Sequence, residues 1–167
     1  MSSAAATPDA YDAERCLAFV QRSPRAVAAH DRDAWLALFA RSSCVEDPVG
    51  SAPHVSGAPH PRRGRTGSER LGAFYDTFIA PNRIRFHVER DVVCGLQVLR
   101  DLTIEISMSP QVTVRVPVHL LYELAPEGEE LKIIRLAAHW ELWPMLRQQF
   151  AAGLPFLRVG CMSFARM

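Results

Sequence analysis

The stretch Val45-Glu46-Asp47-Pro48-Val49-Gly50 decides how the fold of this chain is interpreted. Proline after Asp47 disfavours a helical conformation at the aspartate, so we predict that Asp47 ends a β-strand. In an extended segment Val45 and Asp47 share one face, and Glu46 takes the other. If Val45 faces the core, burial raises the pKa of the Asp47 carboxyl toward the range of a proton-transfer group. The alternative is a strand-end aspartate that caps the following turn.

Length and composition are those of a soluble globular protein with a single domain. The chain has 167 residues, of which 49% are hydrophobic and 22% charged. Its 19 basic and 18 acidic residues give a net charge of +1, so no nucleic-acid partner is expected. Neither a secretory signal nor a membrane span is recognisable, which predicts a cytoplasmic protein without integral membrane association.

Four cysteines are scattered along the chain without the close pairing of a zinc or redox motif. Cys16, Cys44, Cys94 and Cys161 are therefore interpreted as small buried apolar residues, and no metal site is expected.

The first half of the chain has the apolar spacing of helices. One helical pattern runs from about Tyr11 to His30 with a break at Ser23-Pro24, and a second begins at the N-cap Asp31. A third begins at Ser68 and ends before Pro81, because apolar residues recur there at three- and four-residue intervals.

The second half alternates apolar and polar residues and is predicted to form long antiparallel strands between Arg83 and Leu142. Together the patterns predict an α+β fold in which a curved antiparallel sheet wraps around the helices. Residues 1–143 form its single domain. The Pro-, Gly- and Arg-rich residues 51–67 are expected to be an exposed loop. The apolar residues 144–167 are expected to be a helical extension that packs on the domain or on a partner subunit.

Three motifs in this order resemble a known family. They are the segment from Asp31 to Phe39, the segment from Val45 to Ser51, and the pair Phe74-Tyr75. Their order and spacing are similar to those of the steroid Δ-isomerases, an isomerase-like or SnoaL-like branch of the cone-shaped nuclear-transport-factor-2-like superfamily.

The resemblance implies a function for Asp47. In that family the matching aspartate moves a proton between two carbons of a hydrophobic ketone, without a cofactor, while hydrogen-bond donors stabilise the enolate oxygen. The family's donor tyrosine and donor acid correspond here to Ser23 and His119. The resemblance therefore implies Asp47 and His119 as catalytic residues of an isomerase for a steroid- or polyketide-like compound.

The substrate-binding candidates are Ser23, Phe39, Tyr75, Phe86 and Trp140. The resemblance implies Ser23, Tyr75 and Trp140, whereas Phe39 and Phe86 are apolar residues that fit a pocket wall; core packing is the alternative for Phe39, Phe86 and Tyr75. A homodimer is expected.

The orientation of His119 stays open, because strand alternation buries the opposite row unless Pro117 marks a bulge that changes the phase. Two other functions stay open as well: a noncatalytic module that binds an apolar ligand or a subunit, and an epoxide-opening hydrolase.

Overall fold

The computed structural model describes residues 12–56, 67–110 and 112–151. The helices are α1 (Ala13–Val20), α2 (Arg22–Ala28), α3 (Arg32–Leu36), α4 (Gly67–Phe74), which continues into a π-helical turn (Tyr75–Ile79), and α5 (Leu142–Ala151). The strands are β1 (Phe39–Glu46), β2 (His54–Val55), β3 (Arg83–Cys94), β4 (Gln97–Ser109), β5 (Val112–Glu127) and β6 (Glu130–His139).

Side-chain caps fix where the first helices begin. The Asp12 carboxylate accepts a hydrogen bond from the backbone N–H of Arg15 at 2.7 Å, and Asp31 accepts one from Ala34 at 2.9 Å. The cap predicted at Asp31 is thereby confirmed. The helical region is interrupted close to the predicted break, because α1 ends at Val20 and α2 begins at Arg22; Pro24 lies in the first turn of α2, where its missing N–H is tolerated.

The six strands form one sheet in the order β2-β1-β6-β5-β4-β3, which confirms the α+β fold. Strands β3 to β6 form an antiparallel meander, whereas β1 runs parallel to β6 with Val45 opposite Leu136 and Glu46 opposite Ala137. This parallel pairing brings the end of β1 to the end of β6. Residues that follow the two strands are therefore close in space.

The sheet has two different faces. Even-numbered residues of β5 are buried from Val112 to Leu124 and pack in the core with the helices, whereas Thr113, Arg115, Pro117 and His119 are exposed. We call the face that carries Val118 the inner face and the face that carries His119 the outer face.

Helix α5 closes an open edge of the sheet. Strand β6 pairs with β5 only as far as His119, so no strand among the described residues pairs with residues 112–118 of β5 on that side. The Gln148 side chain accepts a hydrogen bond from the backbone N–H of Arg115 at 2.8 Å and donates one to its C=O at 2.7 Å. The amide thus substitutes for a neighbouring strand at this position.

Three expectations need correction. The stretch expected to be a loop contains the short strand β2, which pairs with β1 through His54 opposite Val45; residues 57–66 lie outside the described part. The last strand ends at His139 instead of Leu142, because α5 begins at Leu142. Cys94 is exposed at the end of β3; Cys16 is buried, and Cys161 lies outside the described residues.

Candidate active site

Asp47 lies on the inner face, beside the end of β6. Val45 is buried in the core and Glu46 binds Arg135 at 3.1 Å, so the chain alternates as its sequence predicts. The Trp140 indole Nε1–H donates a hydrogen bond of 2.6 Å to Asp47 Oδ1. Burial raises the pKa of the Asp47 carboxyl, and the hydrogen bond from Trp140 lowers it in part.

The backbone around Asp47 is held by the same strand that carries Trp140. The N–H of Val49 donates a hydrogen bond of 2.8 Å to the C=O of Ala138, which continues the β1–β6 pairing past Glu46. The carboxyl group and its donor therefore each follow directly on one of two paired strands, which favours a fixed geometry.

Tyr75 is buried in the π-helical turn, a type of segment that is frequent at functional sites. Its hydroxyl has no hydrogen-bond partner in the described structure. An unpaired buried hydroxyl costs about 1–3 kcal/mol, so a ligand oxygen that accepts its hydrogen bond would restore that loss. Burial, followed by the charges of Asp31 and Asp76, raises the pKa of this phenol.

An ion pair fixes the π-helical turn against α3. The Arg32 guanidinium donates to both carboxylate oxygens of Asp76, at 2.8 and 3.1 Å. It lies across Gly72, where an added Cβ would come within 2.3 Å of Arg32 Nη2. Glycine at position 72 therefore leaves room for the pair that positions Tyr75.

The remaining apolar candidates line the same interior. Phe39 is buried against Trp35, with 4.5 Å between ring centroids, and Phe86 is half-buried against the core on the inner face of β3. The positions of Phe39 and Phe86 are consistent with the wall of an apolar pocket and equally consistent with ordinary core packing.

Ser23 is part of a buried polar cluster that sequence reasoning missed. It lies on α2 next to Tyr122 of β5, whose hydroxyl it hydrogen-bonds. Beside them Arg100 of β4 donates to both carboxylate oxygens of Asp91, at 2.8 and 3.1 Å. The sequence does contain a signal, since Arg100 interrupts an apolar row between Val98 and Leu102.

His119 does not join this site. Its side chain is 66% exposed on the outer face and its Nδ1 lies 2.5 Å from Asp101 Oδ1. Pairing with β4 is regular from Ser107 to Gln97, so Pro117 marks no bulge and the phase does not change. Since Arg115 directs its N–H to α5, Pro117 directs its nitrogen to the same open edge, where no ladder bond is lost. The inward orientation considered for His119 is therefore wrong.

One surface groove of the described residues lies outside the candidate site. It has a volume of about 520 Å³, is lined by residues that include His30, Arg83 and Thr113, and does not include Asp47.

Among the described residues no group of three or more His, Cys, Asp or Glu side chains is arranged to hold a metal ion. None of the described helices is long and apolar enough to cross a membrane.

Comparisons with known proteins agree with this fold. The sequence profile of a family described as SnoaL-like domain matches residues 20–142. The structure of Delta 5-3-ketosteroid isomerase from Mycobacterium sp. is 32% identical, with a TM-score of 0.63 over 78% of this chain and 95% of that chain. RV0760c from Mycobacterium tuberculosis, solved in complex with estradiol-17beta-hemisuccinate, is 31% identical, with a TM-score of 0.61 over 76% and 94%.

One more distant structure shares the fold alone. The epoxide hydrolase/cyclase-like enzyme SalBIII is 20% identical, with a TM-score of 0.64 over 80% of this chain and 95% of that chain. Comparison with curated protein sequences gave no significant match.

Proposed function

Since this chain belongs to the SnoaL-like domain family of the nuclear-transport-factor-2-like superfamily, we propose that it is a cofactor-independent isomerase with Asp47 as its general base. Its substrate is a hydrophobic carbonyl compound of steroid or polyketide type. The observation that carries the proposal is the buried Asp47 carboxyl, held on the inner face by Trp140.

The chemistry uses the two carboxylate oxygens differently. Trp140 binds Oδ1 and fixes the plane of the carboxylate, which leaves Oδ2 to take a proton from the carbon beside the carbonyl. The electron pair of the broken C–H bond moves to the carbonyl oxygen and forms a dienolate. Asp47 then returns the proton two carbons further along, which shifts the double bond into conjugation. The raised pKa of Asp47 makes the carboxylate a stronger base for this step.

The surroundings of Asp47 support an apolar substrate with few polar groups. Phe39 and Phe86 contribute apolar surface, and Tyr75 has a buried hydroxyl that a substrate oxygen can pair. A neighbour of the same fold, 31% identical, binds a steroid derivative.

A noncatalytic steroid-binding module is the second candidate, and the placement of His119 favours it. With His119 on the outer face, one of the two donors implied for the oxyanion is absent from the inner face. Asp47 would then act as a polar anchor for a ligand hydroxyl. The expected homodimer and cytoplasmic location stay predictions.

A single assay separates the two candidates. The protein is incubated with a β,γ-unsaturated 3-ketosteroid, and growth of the conjugated enone absorbance is followed for wild type, Asp47→Asn and Glu46→Gln. We expect Asp47→Asn to lose nearly all turnover, whereas Glu46→Gln, whose side chain faces the other way, should retain it. Equal turnover in wild type and Asp47→Asn would contradict the isomerase proposal. Calorimetric binding of estradiol-17beta-hemisuccinate without turnover would establish the binding module.

A further inference from the structure

The inner face carries a second group of polar side chains that the proposed chemistry does not yet use. Ser23, Arg100 and Tyr122 are almost completely buried, with 4%, 4% and 2% of their surfaces exposed. They come from α2, β4 and β5, so three separate elements contribute a polar group to one part of the interior. Burial of so many polar atoms is costly and suggests a role beyond packing.

The strand register places this group on the same face as the base. Tyr122 pairs with Leu136, and Leu136 pairs with Val45, so the three form one row across β5, β6 and β1. Adjacent strands are about 4.8 Å apart, so the Tyr122 and Val45 backbones are roughly 10 Å apart. Asp47 lies two residues beyond Val45, so the Tyr122 and Asp47 backbones are roughly 12 Å apart, a span that a fused-ring ligand covers.

The two buried tyrosines differ in the groups beside them. Tyr75 lies near two carboxylates, Asp31 and Asp76, and one guanidinium, Arg32, and its hydroxyl has no partner in the described structure. Burial has the largest effect on the Tyr122 phenol and raises its pKa; the Ser23 hydrogen bond and the Arg100 guanidinium lower it, and the Asp91 carboxylate raises it. Tyr122 thus has one carboxylate fewer beside it and a hydrogen-bond partner, so negative charge on a ligand oxygen is better accommodated beside Tyr122.

We propose that Tyr122, supported by Ser23, donates the hydrogen bond that stabilises the carbonyl oxygen of the ligand as Asp47 removes the proton. The assignment rests on the function proposed above. It replaces the donor role that His119 cannot fill, and it uses a residue on the inner row of the same strand. Tyr75 then contacts a part of the ligand on which no negative charge develops.

Binding of two matched ligands tests the assignment without relying on turnover. The probes are estradiol, whose phenol places an oxygen on the ring, and 3-deoxyestradiol, which lacks it. By calorimetry wild type should prefer estradiol about tenfold, the factor that corresponds to 1.4 kcal/mol. Tyr122→Phe should retain its affinity for the deoxy ligand and lose most of the preference. Ser23→Ala should reduce the preference severalfold, and it keeps the test valid if Tyr122→Phe folds poorly.

Controls and kinetics complete the test. Tyr75→Phe should weaken both ligands alike, and His119→Ala, on the outer face of β5, should change neither. In the isomerase assay Tyr122→Phe should lower kcat about a hundredfold with little change in KM. If wild type prefers estradiol and Tyr122→Phe keeps both that preference and the wild-type kcat, the assignment of Tyr122 is overturned while the proposed function stands. A wild type that binds neither ligand would overturn both this assignment and the proposed function.

Discussion

The two faces of the sheet treat charge in opposite ways. On the inner face Asp47 is buried beside an indole, and Arg100 and Asp91 form an ion pair shielded from solvent. On the outer face Glu105 is surrounded by Arg85, His87 and Arg115, whose side chains are more than half exposed. A carboxylate therefore lies beside an indole on one face and beside three half-exposed basic side chains on the other, where Glu105 itself is only 8% exposed.

The largest expected difference concerns two arginine–aspartate pairs of the β3–β4 hairpin. Arg100→Met leaves Asp91 partly buried without a counter-charge and should lower the free energy of unfolding by about 3 kcal/mol. Arg90→Met removes one of the two partners of Asp101 and leaves His119 in place, and the Arg90 side chain is 71% exposed, so stability should change little. Urea denaturation of both variants measures the difference. Equal losses would show that the two faces do not differ as described.

Removal of a carboxylate charge should change the free energy of unfolding in opposite directions on the two faces. Asp47→Asn should stabilise the protein by about 1–2 kcal/mol at pH 7, because it removes a charge that burial disfavours. Glu105→Gln should destabilise it, because Arg115 above all holds the pKa of that carboxyl low. Thermal unfolding at neutral pH measures both, and a destabilised Asp47→Asn would contradict the account of the inner face.

The pH dependence should follow the same signs. The folded state holds the Asp47 proton more tightly than the unfolded chain, so stability from this group falls as pH rises from about 3.8 through its raised pKa. The Glu105 contribution is present above the ordinary value of 4.5 and falls as pH drops through its lowered pKa. Unfolding curves of the two variants across pH 3–8 separate these contributions.

A smaller effect is expected at Trp140, which donates a hydrogen bond to the proposed base Asp47. Trp140→Phe keeps the apolar ring but removes the N–H that lowers the Asp47 pKa, so the acid limb of the pH–rate profile should move to higher pH. At neutral pH kcat/KM should fall about threefold to tenfold, as for one lost hydrogen bond. A profile that moves to lower pH would exclude this role for the indole.

The smallest effect is expected where α5 meets the open edge of β5. Gln148→Ala frees the N–H and C=O of Arg115 and should cost about 0.5–1 kcal/mol of stability. Amide hydrogen exchange at Arg115 should accelerate, while that at Tyr122 in the paired part of the strand should not. If both amides respond equally, α5 supports the whole sheet instead of one edge.

Sequence patterns predicted the sheet and the position of Asp47 at the end of a strand, because both depend on local rules. Two-residue periodicity indicates buried rows, and Asp47 shares a face with Val45 for the same reason. The strict alternation of β5 also disfavoured an inward His119; the family resemblance suggested the opposite, and the regular pairing past Pro117 agrees with the alternation.

The buried cluster was predictable only at Arg100, which interrupts an apolar row, because its other contacts join distant segments. Asp91 faces inward only after the register shift between Val88 and Arg90, and such irregularities leave no pattern in one sequence. Ser23 meets Tyr122 only when α2 packs on the sheet. The parallel pairing of β1 with β6 joins residues about ninety positions apart, for which local periodicity contains no information.

That long-range pairing has a consequence for how the protein is made. The hydrogen bond from Trp140 to Asp47 connects residues 93 positions apart. At 5–20 residues per second, the ribosome synthesises Trp140 roughly 5–20 s after Asp47. During that interval the nascent chain carries an ordinary, hydrated aspartate. The carboxyl group gains its indole donor only when β6 docks beside β1, so the proposed base is completed after nearly the whole sheet has been synthesised.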